Sequence, residues 1–590
     1  MKKLFLSAIS FALAASAYAI PNTFSEGDVI SAEQMNENFQ HLEQQLQGAI
    51  EKAVNCAAGE KIADAIANGF TNITVSGTCT ENLQFSMWRE DSAENGTPTG
   101  KLAPRFLKIA GADSSATIVD TSSNTESTVS VNSGTTLFME NITFSGGQYG
   151  INAQRNSNLY LSGVSVESFT EKGIRVADSA WLGIDEDGAT IVGTENSTGI
   201  ELVTGASGWI SSVTISGVDR GLNVYGGSMV YLNNYQISAV SRGITVDNSR
   251  VLKSGDGSAS IEGTSDRAVS VSHGVFTNWD GNLEIKNLSG GRGITFWMSQ
   301  GNIRNLKIPD FDKTGSGWNP AISVDANSSI NLENAVISGS TDGTLIQFSK
   351  HSGGGIQNST ITTTSKVVGS GSVISVDTGS AIEISDGSII TATSTGVGID
   401  VGWNSLLRFR DSTLAGTATD GSLIGLANGS TGEIRNSTLT DLVSNEDGIR
   451  VSGGSRLNFR DSEISCTCTE GTVIDISGGS STGIRDSNLE LISGNTGVNV
   501  ADSSELSFRN STLSGSANYE LVRVTRASNA IIQRGSELSH SNTSEVDIEV
   551  SNLSFLNVWD SSVNSVNCFN KGYVSADEGT VADLGTNCTE

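Results

Sequence analysis

The sequence has 590 residues and a formal net charge of -29 at pH 7, from 35 lysines and arginines against 64 aspartates and glutamates. This acidic balance excludes a basic stripe or a phosphate clamp, so we expect no nucleic-acid partner and no attraction to anionic membranes. Glycine is abundant at 67 residues and proline scarce at 5, a composition that favours strands and tight turns over disorder.

The first residues predict an exported protein. Residues 1–19 combine Lys2 and Lys3 with an apolar run too short to span a bilayer, and they end in AYA, the pattern of a bacterial secretory signal peptide. No later segment is apolar for long enough to form a membrane helix. We therefore expect a secreted, extracellular or cell-surface protein, with the periplasm as the alternative location.

Residues 20–55 predict a helix with coiled-coil spacing. Ser31 supplies an N-cap. Apolar residues then recur at steps of four and three, at Met35, Phe39, Leu42, Leu46, Ala49 and Ala53. Two interpretations stay open: the helix packs on the base of the next domain, or residues 31–55 join the chain into a homodimer or homotrimer.

Six cysteines form an even set, which predicts disulfides in an exported protein. Proximity along the chain suggests the pairs Cys56–Cys79, Cys466–Cys468 and Cys568–Cys588. The sequence does not fix this connectivity, and the second pair would close a very small, strained ring. A zinc site is the weaker alternative because no four Cys and His residues have suitable spacing, so no metal site is predicted.

The central segment, residues 81–567, is built from a repeat. Short units of alternating apolar residues recur at steps of 22 to 28, and most follow a glycine. Their first apolar residues are Ile151, Ile174, Ile200, Leu222, Ile244, Val269, Ile294, Ile322, Ile346, Ile374, Ile399, Ile424, Ile449, Ile474, Val498, Val522 and Ile548. Each repeat holds three such alternating stretches, which is the pattern of three short strands.

A repeat of three short strands without a helix cannot bury its own apolar face, so it must stack on its neighbours. The sequence therefore predicts an all-β fold, a right-handed parallel β-helix of ~20 coils spaced by ~4.8 Å. Its handedness follows from the general preference of parallel crossovers.

A second repeat marks the corner between the second and third strands. Asn and Asp, which tolerate left-handed backbone, recur there at Asn305, Asn334, Asn358, Asp386, Asp411, Asn436, Asp461, Asp486 and Asn510. An arginine precedes the last five, at Arg410, Arg435, Arg460, Arg485 and Arg509. We predict a structural ladder of Asn and Asp side chains beside an outward column of arginines.

These features resemble the pectate-lyase-like right-handed β-helix proteins, whose second turn carries a comparable asparagine ladder. The resemblance covers residues 56–568 and implies the fold, but not an activity, because enzymes, adhesins and phage tailspikes share such rods. It also implies two caps. Residues 56–80 would close the first coil with a short amphipathic helix carrying Ile62, Ala65 and Ile66, and residues 568–590 would close the last.

In the enzymes of this family the cleft lies along the outward face of the first strand. Asp400 and Asp475 lie on that face three coils apart, or ~14 Å. This exceeds the ~5–9.5 Å between the two carboxyls of a glycoside hydrolase. We expect Arg450 to pair with Asp475, and Arg523 with Glu549, as cross-coil ion pairs.

A lyase would use Arg450 as its base candidate, with Asp475 nearby for calcium; otherwise no cofactor is expected. The family's catalytic signatures, an aspartate pair with Gly-His-Gly or a Trp-Ile-Asp-His stretch, are absent from the sequence. The four histidines, His41, His273, His351 and His540, fall at unrelated repeat positions and are interpreted as surface or turn residues.

The second strand of the early coils carries outward aromatic residues. Tyr160, Trp209 and Tyr231 occupy equivalent positions, with Trp181 slightly offset between them. Such a strip stacks against sugar rings, or it stiffens the sheet by cross-strand packing.

The sequence thus predicts an exported β-helix that binds or adheres to polysaccharide without catalysis. One alternative is a polysaccharide lyase or glycoside hydrolase acting along the first-strand face. The other is a purely structural fibre component.

Overall fold

The computed structural model describes residues 51–86, 106–253, 255–288, 291–313, 319–363, 371–394, 396–541, 546–585 and 587–588. The predicted signal peptide at 1–19 and the predicted helix up to residue 50 lie outside these residues. The chain is an all-β parallel β-solenoid of about 19 turns, which confirms the predicted fold class. It comprises two compact units, Met1–Thr190 and Ile191–Glu590.

In the first unit the strands form three parallel stacks, named here by the order of strands within a coil. The first-strand face contains Leu83–Ser86, Ser127–Asn132, Tyr149–Ala153 and Lys172–Val176. The second-strand face contains Glu51–Asn55, Asn72–Ser76, Phe106–Gly111, Thr136–Glu140, Asn158–Ser162 and Trp181–Ile184. The third-strand face contains Thr78–Thr80, Thr117–Val119, Thr143–Ser145, Val164–Glu167 and Ala189–Val192.

A short helical segment lies between the first two strands of the second-strand face. A 3₁₀ turn at Cys56–Ala58 leads into the helix Ile62–Ala67, and a disulfide joins Cys56 to Cys79 with a Cα–Cα distance of 4.9 Å. The buried Glu81 carboxylate accepts the backbone N–H of Ile62 at 2.8 Å. A carboxylate there satisfies the free donors of the helix N-terminus and complements its dipole.

The last five residues of the predicted N-terminal helix form a strand instead. Glu51–Asn55 pairs in parallel with Asn72–Ser76, and its inward residue Val54 is only 1% exposed. Pairing with the next coil buries this side chain and satisfies the backbone, so the strand prevails over the helical spacing of Ala49 and Ala53.

The second unit is also built from three parallel stacks, named in the same way. On the first-strand face the separate strands are Thr198–Leu202, Arg267–Ser272, Arg292–Trp297, Ile322–Asp325, Ile346–Phe348, Ser372–Val376, Val397–Val401, Ile424–Leu426, Ile449–Val451, Ile474–Ile476, Val498–Val500, Val522–Val524 and Ile548–Ser551. Three strands bend around corners and serve more than one face: Ser207–Tyr225, Met229–Asp247 and Ser562–Phe569.

The other two faces of this unit are equally regular. The second-strand face contains Arg250–Lys253, Val275–Asn278, Gln300–Arg304, Ser329–Glu333, Gly353–Gln357, Ala381–Ser385, Leu406–Arg410, Thr431–Arg435, Arg456–Arg460, Ser481–Arg485, Glu505–Arg509, Asn529–Gln533, Phe555–Trp559 and Tyr573–Ala576. The third-strand face contains Ala259–Glu262, Leu283–Lys286, Leu306–Lys313, Val336–Thr341, Thr360–Thr363, Ile389–Ser394, Thr413–Ala418, Thr438–Ser444, Glu463–Cys468, Asn488–Ser493, Thr512–Ala517, Glu537–His540 and Val581–Leu584.

The core consists of inward columns of aliphatic and aromatic side chains. The predicted first apolar residues of the repeats, from Ile151 to Ile548, are all at most 2% exposed, which confirms the repeat assignment. On the second strand, large and smaller residues alternate in register, as Ile384, Phe409, Ile434, Phe459, Ile484, Phe508 and Ile532. Each phenyl ring therefore packs between two branched aliphatic chains, which fills the interior without overcrowding.

The residues of the predicted corner ladder share one backbone conformation. All nine Asn and Asp residues have φ between 45° and 58°. Side-chain amides link successive coils: Asn358 donates to Asn334 at 2.6 Å and Asn510 donates to Asp486 at 2.7 Å. The arginines also fall into one column, because each pairs in register with the next from Arg410 to Arg509.

Two serine columns accompany this ladder and were missed in the sequence. At the corner before the second strand, each backbone N–H donates to the hydroxyl of the serine in the next coil, through Ser299, Ser328, Ser352, Ser380, Ser405, Ser430, Ser455, Ser480, Ser504, Ser528 and Ser554. A shorter column at the next corner contains Ser412, Ser437, Ser462, Ser487, Ser511 and Ser536. These bonds satisfy buried corner amides, so the columns stabilise the stack.

The cysteine prediction is right for two pairs and wrong for one. Cys568 and Cys588 form a disulfide, with a Cα–Cα distance of 4.8 Å. Cys466 and Cys468 are buried free thiols whose sulfurs lie 3.5 Å apart. They are alternate residues of one strand, so their Cβ atoms are ~6.6 Å apart rather than the ~3.8 Å that a disulfide requires.

Candidate functional site

The first-strand face of the second unit brings the weak catalytic candidates Arg450 and Asp475 into register on adjacent coils. The predicted ion pair between them does not form. Arg450 Nε lies 3.9 Å from Asp447 Oδ2, while Asp475 Oδ1 accepts the Asn499 amide at 2.7 Å. Their side chains therefore engage different neighbours.

Asp447 is a carboxylate that the sequence interpretation overlooked, because it lies in the corner before the first strand. Burial raises its pKa and the Asp475 charge adds to the rise, whereas the Thr472 N–H and Arg450 oppose it. The sequence feature that could have revealed this contact is the position of Asp447, three residues before Arg450. Asp447 and Asp475 thus lie on adjacent coils, close enough for the charge of Asp475 to raise the pKa of Asp447.

A similar arrangement recurs three coils further on. Arg523 lies 3.8 Å from Glu549, which confirms that predicted ion pair, and it also contacts the buried Glu520. Burial raises the pKa of Glu549, with a further rise from the charge of Glu520. This recurrence indicates a repeated electrostatic motif of the solenoid.

A third carboxylate pair lies on the same face. Burial raises the pKa of Asp400, with an additional rise from the charge of Asp377 in the neighbouring coil. Three outward carboxylates of this face, Asp400, Asp475 and Glu549, therefore each have a carboxylate neighbour, which lies at a strand end rather than on a strand.

A small apolar gap lies inside the core of the second unit, away from the first-strand face, and is lined by residues such as Ile200, Ile237 and Tyr235. General acid–base catalysis needs a substrate held within hydrogen-bond reach of its carboxyl. The carboxylates and arginines of the first-strand face can accept and donate hydrogen bonds to a polar ligand.

Aromatic residues stack on the second-strand face of the first unit. The Phe138 and Tyr160 ring centroids are 4.5 Å apart at an interplanar angle of 8°, and Trp181 follows at 4.7 Å from Tyr160, tilted by 44°. Trp181 lies two residues out of register with Tyr160. Its ring nevertheless reaches Tyr160 because Gly183, the residue in register, leaves space: a Cβ at Gly183 would lie 2.4 Å from the indole. Because Phe138 and Tyr160 cover each other's faces, this column favours cross-strand packing.

The second unit presents a looser aromatic pair. Trp209 and Tyr231 are adjacent in register, with centroids 5.8 Å apart and planes 27° apart, and both are half-buried. At this wider spacing the two rings cover each other's faces less closely than Phe138 and Tyr160 do. Of the four predicted ligand-contact residues, these two have the geometry closer to a sugar platform.

Two inward positions of the second strand hold polar residues instead of apolar ones. Lys253 and Asn278 are neighbours in register and both are 0% exposed. The Lys253 ammonium donates to the carbonyls of Gly255 at 3.0 Å and Asp280 at 2.9 Å, so it joins two corner loops. Burial lowers its pKa, and the charges of Asp280 and Asp256 oppose that shift.

One group of possible metal ligands occurs in the described residues: Cys56, Cys79 and Glu81. Its two sulfurs are joined to each other, and Glu81 accepts N–H groups of the cap helix. These atoms are committed to the cap, so the group does not fit a metal centre.

Fold and surface together define the chain as a parallel β-solenoid protein with outward aromatic residues and separate pairs of outward carboxylates. No protein-family model matches the chain, and no curated protein matches it. Among the described residues, no helix has the length and apolar character required to traverse a bilayer.

Proposed function

We propose that this protein is an exported β-helix of the pectate-lyase-like kind that binds polysaccharide without cleaving it. The repeat, the Asn and Asp ladder and the two disulfides support this assignment, since disulfides persist in oxidising compartments outside the cytosol. The acidic surface favours uncharged glycans over anionic ones.

The observation that carries this proposal is the Trp209–Tyr231 pair on the outward second-strand face. Aromatic rings present a negative face that attracts the polarised C–H groups of a sugar. Side by side on adjacent coils, the two rings form a short platform on a rigid sheet, which needs little reorganisation on binding.

The test is affinity electrophoresis and calorimetry of the mature protein with a β-glucan, a xylan, a galactomannan and polygalacturonate. We expect binding to a neutral polysaccharide, a loss of tenfold or more in Trp209→Ala, and a smaller loss in Trp209→Phe, which keeps a ring. If the Trp209→Ala variant binds as tightly as the wild-type protein, the proposed role of this pair is refuted. Absence of binding to the whole panel would favour the structural fibre alternative.

The second candidate function is a polysaccharide lyase or glycoside hydrolase, favoured by the raised pKa of Asp447 beside Arg450. In that case Arg450 is the base candidate, and Asp447 and Asp475 are the carboxylates available to a calcium ion. The same panel, incubated with and without calcium, would release unsaturated or reducing ends that disappear in Arg450→Ala. Such turnover would overturn the proposal of a non-catalytic binder.

A further inference from the structure

Large exposed side chains lie along the corner between the first and second strands of the second unit. Trp297 is 42% exposed, Met298 48% and Trp403 63%. Backbone hydrogen bonds join the intervening corners coil by coil, through Met298, Asn327, His351 and Gly379 to Trp403. We call residues 297–298, 325–327, 349–351, 377–379 and 402–404 the corner row.

The backbone of this row is unsuited to large apolar residues. Met298 has φ 48° and Trp403 has φ 54°. The position of Trp403 is occupied by Lys350 and Thr378 in the two preceding coils, and by Asn428 and Gly453 in the two that follow. Left-handed backbone favours Gly, Asn and Asp and is unfavourable by ~1 kcal/mol or more for other residues. Burial does not offset this, because both side chains are exposed, so folding alone does not account for them.

Polar groups separate the exposed rings. The Lys350 ammonium lies 5.1 Å from the centre of the Trp297 ring and 3.0 Å from Asp325 Oδ2. The exposed His351 follows it, and its ring lies against Gly379, where a Cβ would be 2.5 Å from Nδ1. The row therefore alternates apolar rings with hydrogen-bonding groups instead of forming the continuous apolar patch typical of a protein interface.

Spacing and charge identify the ligand chemistry. Trp297 and Trp403 are four coils apart, or ~19 Å along the stack, which suits an extended polymer lying parallel to the solenoid axis. Asp325, which is paired with Lys350, and Asp377 lie within the row. The strongly acidic chain repels anionic polymers, while carboxylate oxygens accept hydrogen bonds from hydroxyl groups. An extended chain of neutral sugars, with C–H faces and hydroxyl edges, matches this alternation.

We infer that the corner row is a binding site for an extended, uncharged polysaccharide, with Trp403 and Trp297 as its two ring contacts. This inference rests on the proposal that the protein binds polysaccharide, and it adds a surface distinct from Trp209 and Tyr231. The exposed Trp403 is retained for the ligand, at the expense of backbone stability.

The experiment compares Trp403→Asn with wild type in the same neutral polysaccharide panel and in urea denaturation. Asn tolerates the left-handed backbone, so the variant should be as stable as wild type or more stable. We expect it nevertheless to bind at least tenfold more weakly, and Trp297→Ala to weaken binding as well. Trp279→Ala is the matched control, because Trp279 is an exposed tryptophan (46%) at a different corner, and its loss should leave binding unchanged.

The outcomes separate the two proposals. Binding that is lost in Trp209→Ala but unchanged in Trp403→Asn overturns the corner-row site alone. Binding lost in Trp403→Asn but not in Trp209→Ala supports the corner row and overturns the role of the Trp209–Tyr231 pair. A wild-type protein that binds no neutral polysaccharide, or that prefers polygalacturonate, overturns the inference, and binding to a protein instead would do so too.

Discussion

Asn510 donates its side-chain amide to Asp486 Oδ1 one coil earlier, at 2.7 Å, and both residues have left-handed backbone with φ of 45° and 51°. This bond, with Arg485, lowers the pKa of the Asp486 carboxyl. The corner residue thus contributes to stability in two ways: it tolerates the left-handed backbone, and its side-chain amide donates a hydrogen bond to the preceding coil.

Substitution of Asn510 separates these contributions. Asn510→Gly keeps the backbone but loses the amide, so the free energy of unfolding should fall by about 1 kcal/mol. Asn510→Ala loses the amide and also leaves in left-handed backbone a residue without the local side-chain hydrogen bonding by which Asn tolerates that conformation, so the fall should be about 2 kcal/mol. Urea denaturation followed by circular dichroism measures both, and equal effects of the two variants would contradict this division.

Truncation of a core phenyl ring should be the most damaging of these changes. Phe459 is 1% exposed between Ile434 and Ile484, so Phe459→Ala should lower the free energy of unfolding by about 3–5 kcal/mol. Its outward neighbour Asn458 is the control, and Asn458→Ala should change stability by less than about 0.5 kcal/mol. Comparable losses in the two variants would refute the inward orientation of the ring.

Asp400 should make stability depend on pH in an unusual direction. Burial, with help from Asp377, raises its folded pKa above the usual value of 3.8. The folded state therefore binds this proton more tightly than the unfolded state, and the carboxyl favours folding increasingly as pH falls through the folded pKa toward 3.8.

At neutral pH the ionised Asp400 opposes folding, so Asp400→Asn should raise the unfolding temperature. The gain should shrink as the pH is lowered from 7 to 4. Thermal unfolding of both proteins over that range is the measurement, with Asp475→Asn as the comparison on the same face. A gain that is the same at every pH would show that ionisation of Asp400 is not its cause.

Cys466 and Cys468 should remain reduced thiols in the folded protein. Their burial protects them, and hydrogen bonding between them together with burial raises the pKa of Cys466, so alkylating reagents should not react with the native state. After denaturation without reductant, mass spectrometry should find two alkylated cysteines per chain. No alkylation after denaturation would mean that the two residues form the disulfide that the structure lacks.

The features that sequence predicted well share one physical basis. Asp411 and Asn436 were recognisable because only a few residue types tolerate left-handed backbone. Ile449 was recognisable because the alternation of apolar and polar residues along a strand shows which side chains face the core. Because the same pattern recurs in every coil, these weak local signals add up, and the register between strands of successive coils could be predicted from the spacing alone.

The errors arose where the sequence does not show in which direction a side chain points or which neighbour it contacts. Arg450 and Asp475 are adjacent, as expected, but Arg450 turns toward Asp447, and no periodic pattern reveals a rotamer choice. The serine columns were missed because serine is common in any turn, and its role appears only when Ser437 and Ser462 stack. The corner row was missed because Trp403 breaks the repeat instead of following it.

The account rests most of all on the axial stacking of the repeats, which spin-label distances test directly. Pairs of nitroxide labels would be placed on the arginine column at Arg410 and Arg460, and at Arg410 and Arg509. We predict mean separations of ~10 Å and ~19 Å, since the pairs are two and four coils apart in register. Distances that do not grow with the number of coils between the labels would contradict the parallel solenoid and both proposed binding surfaces.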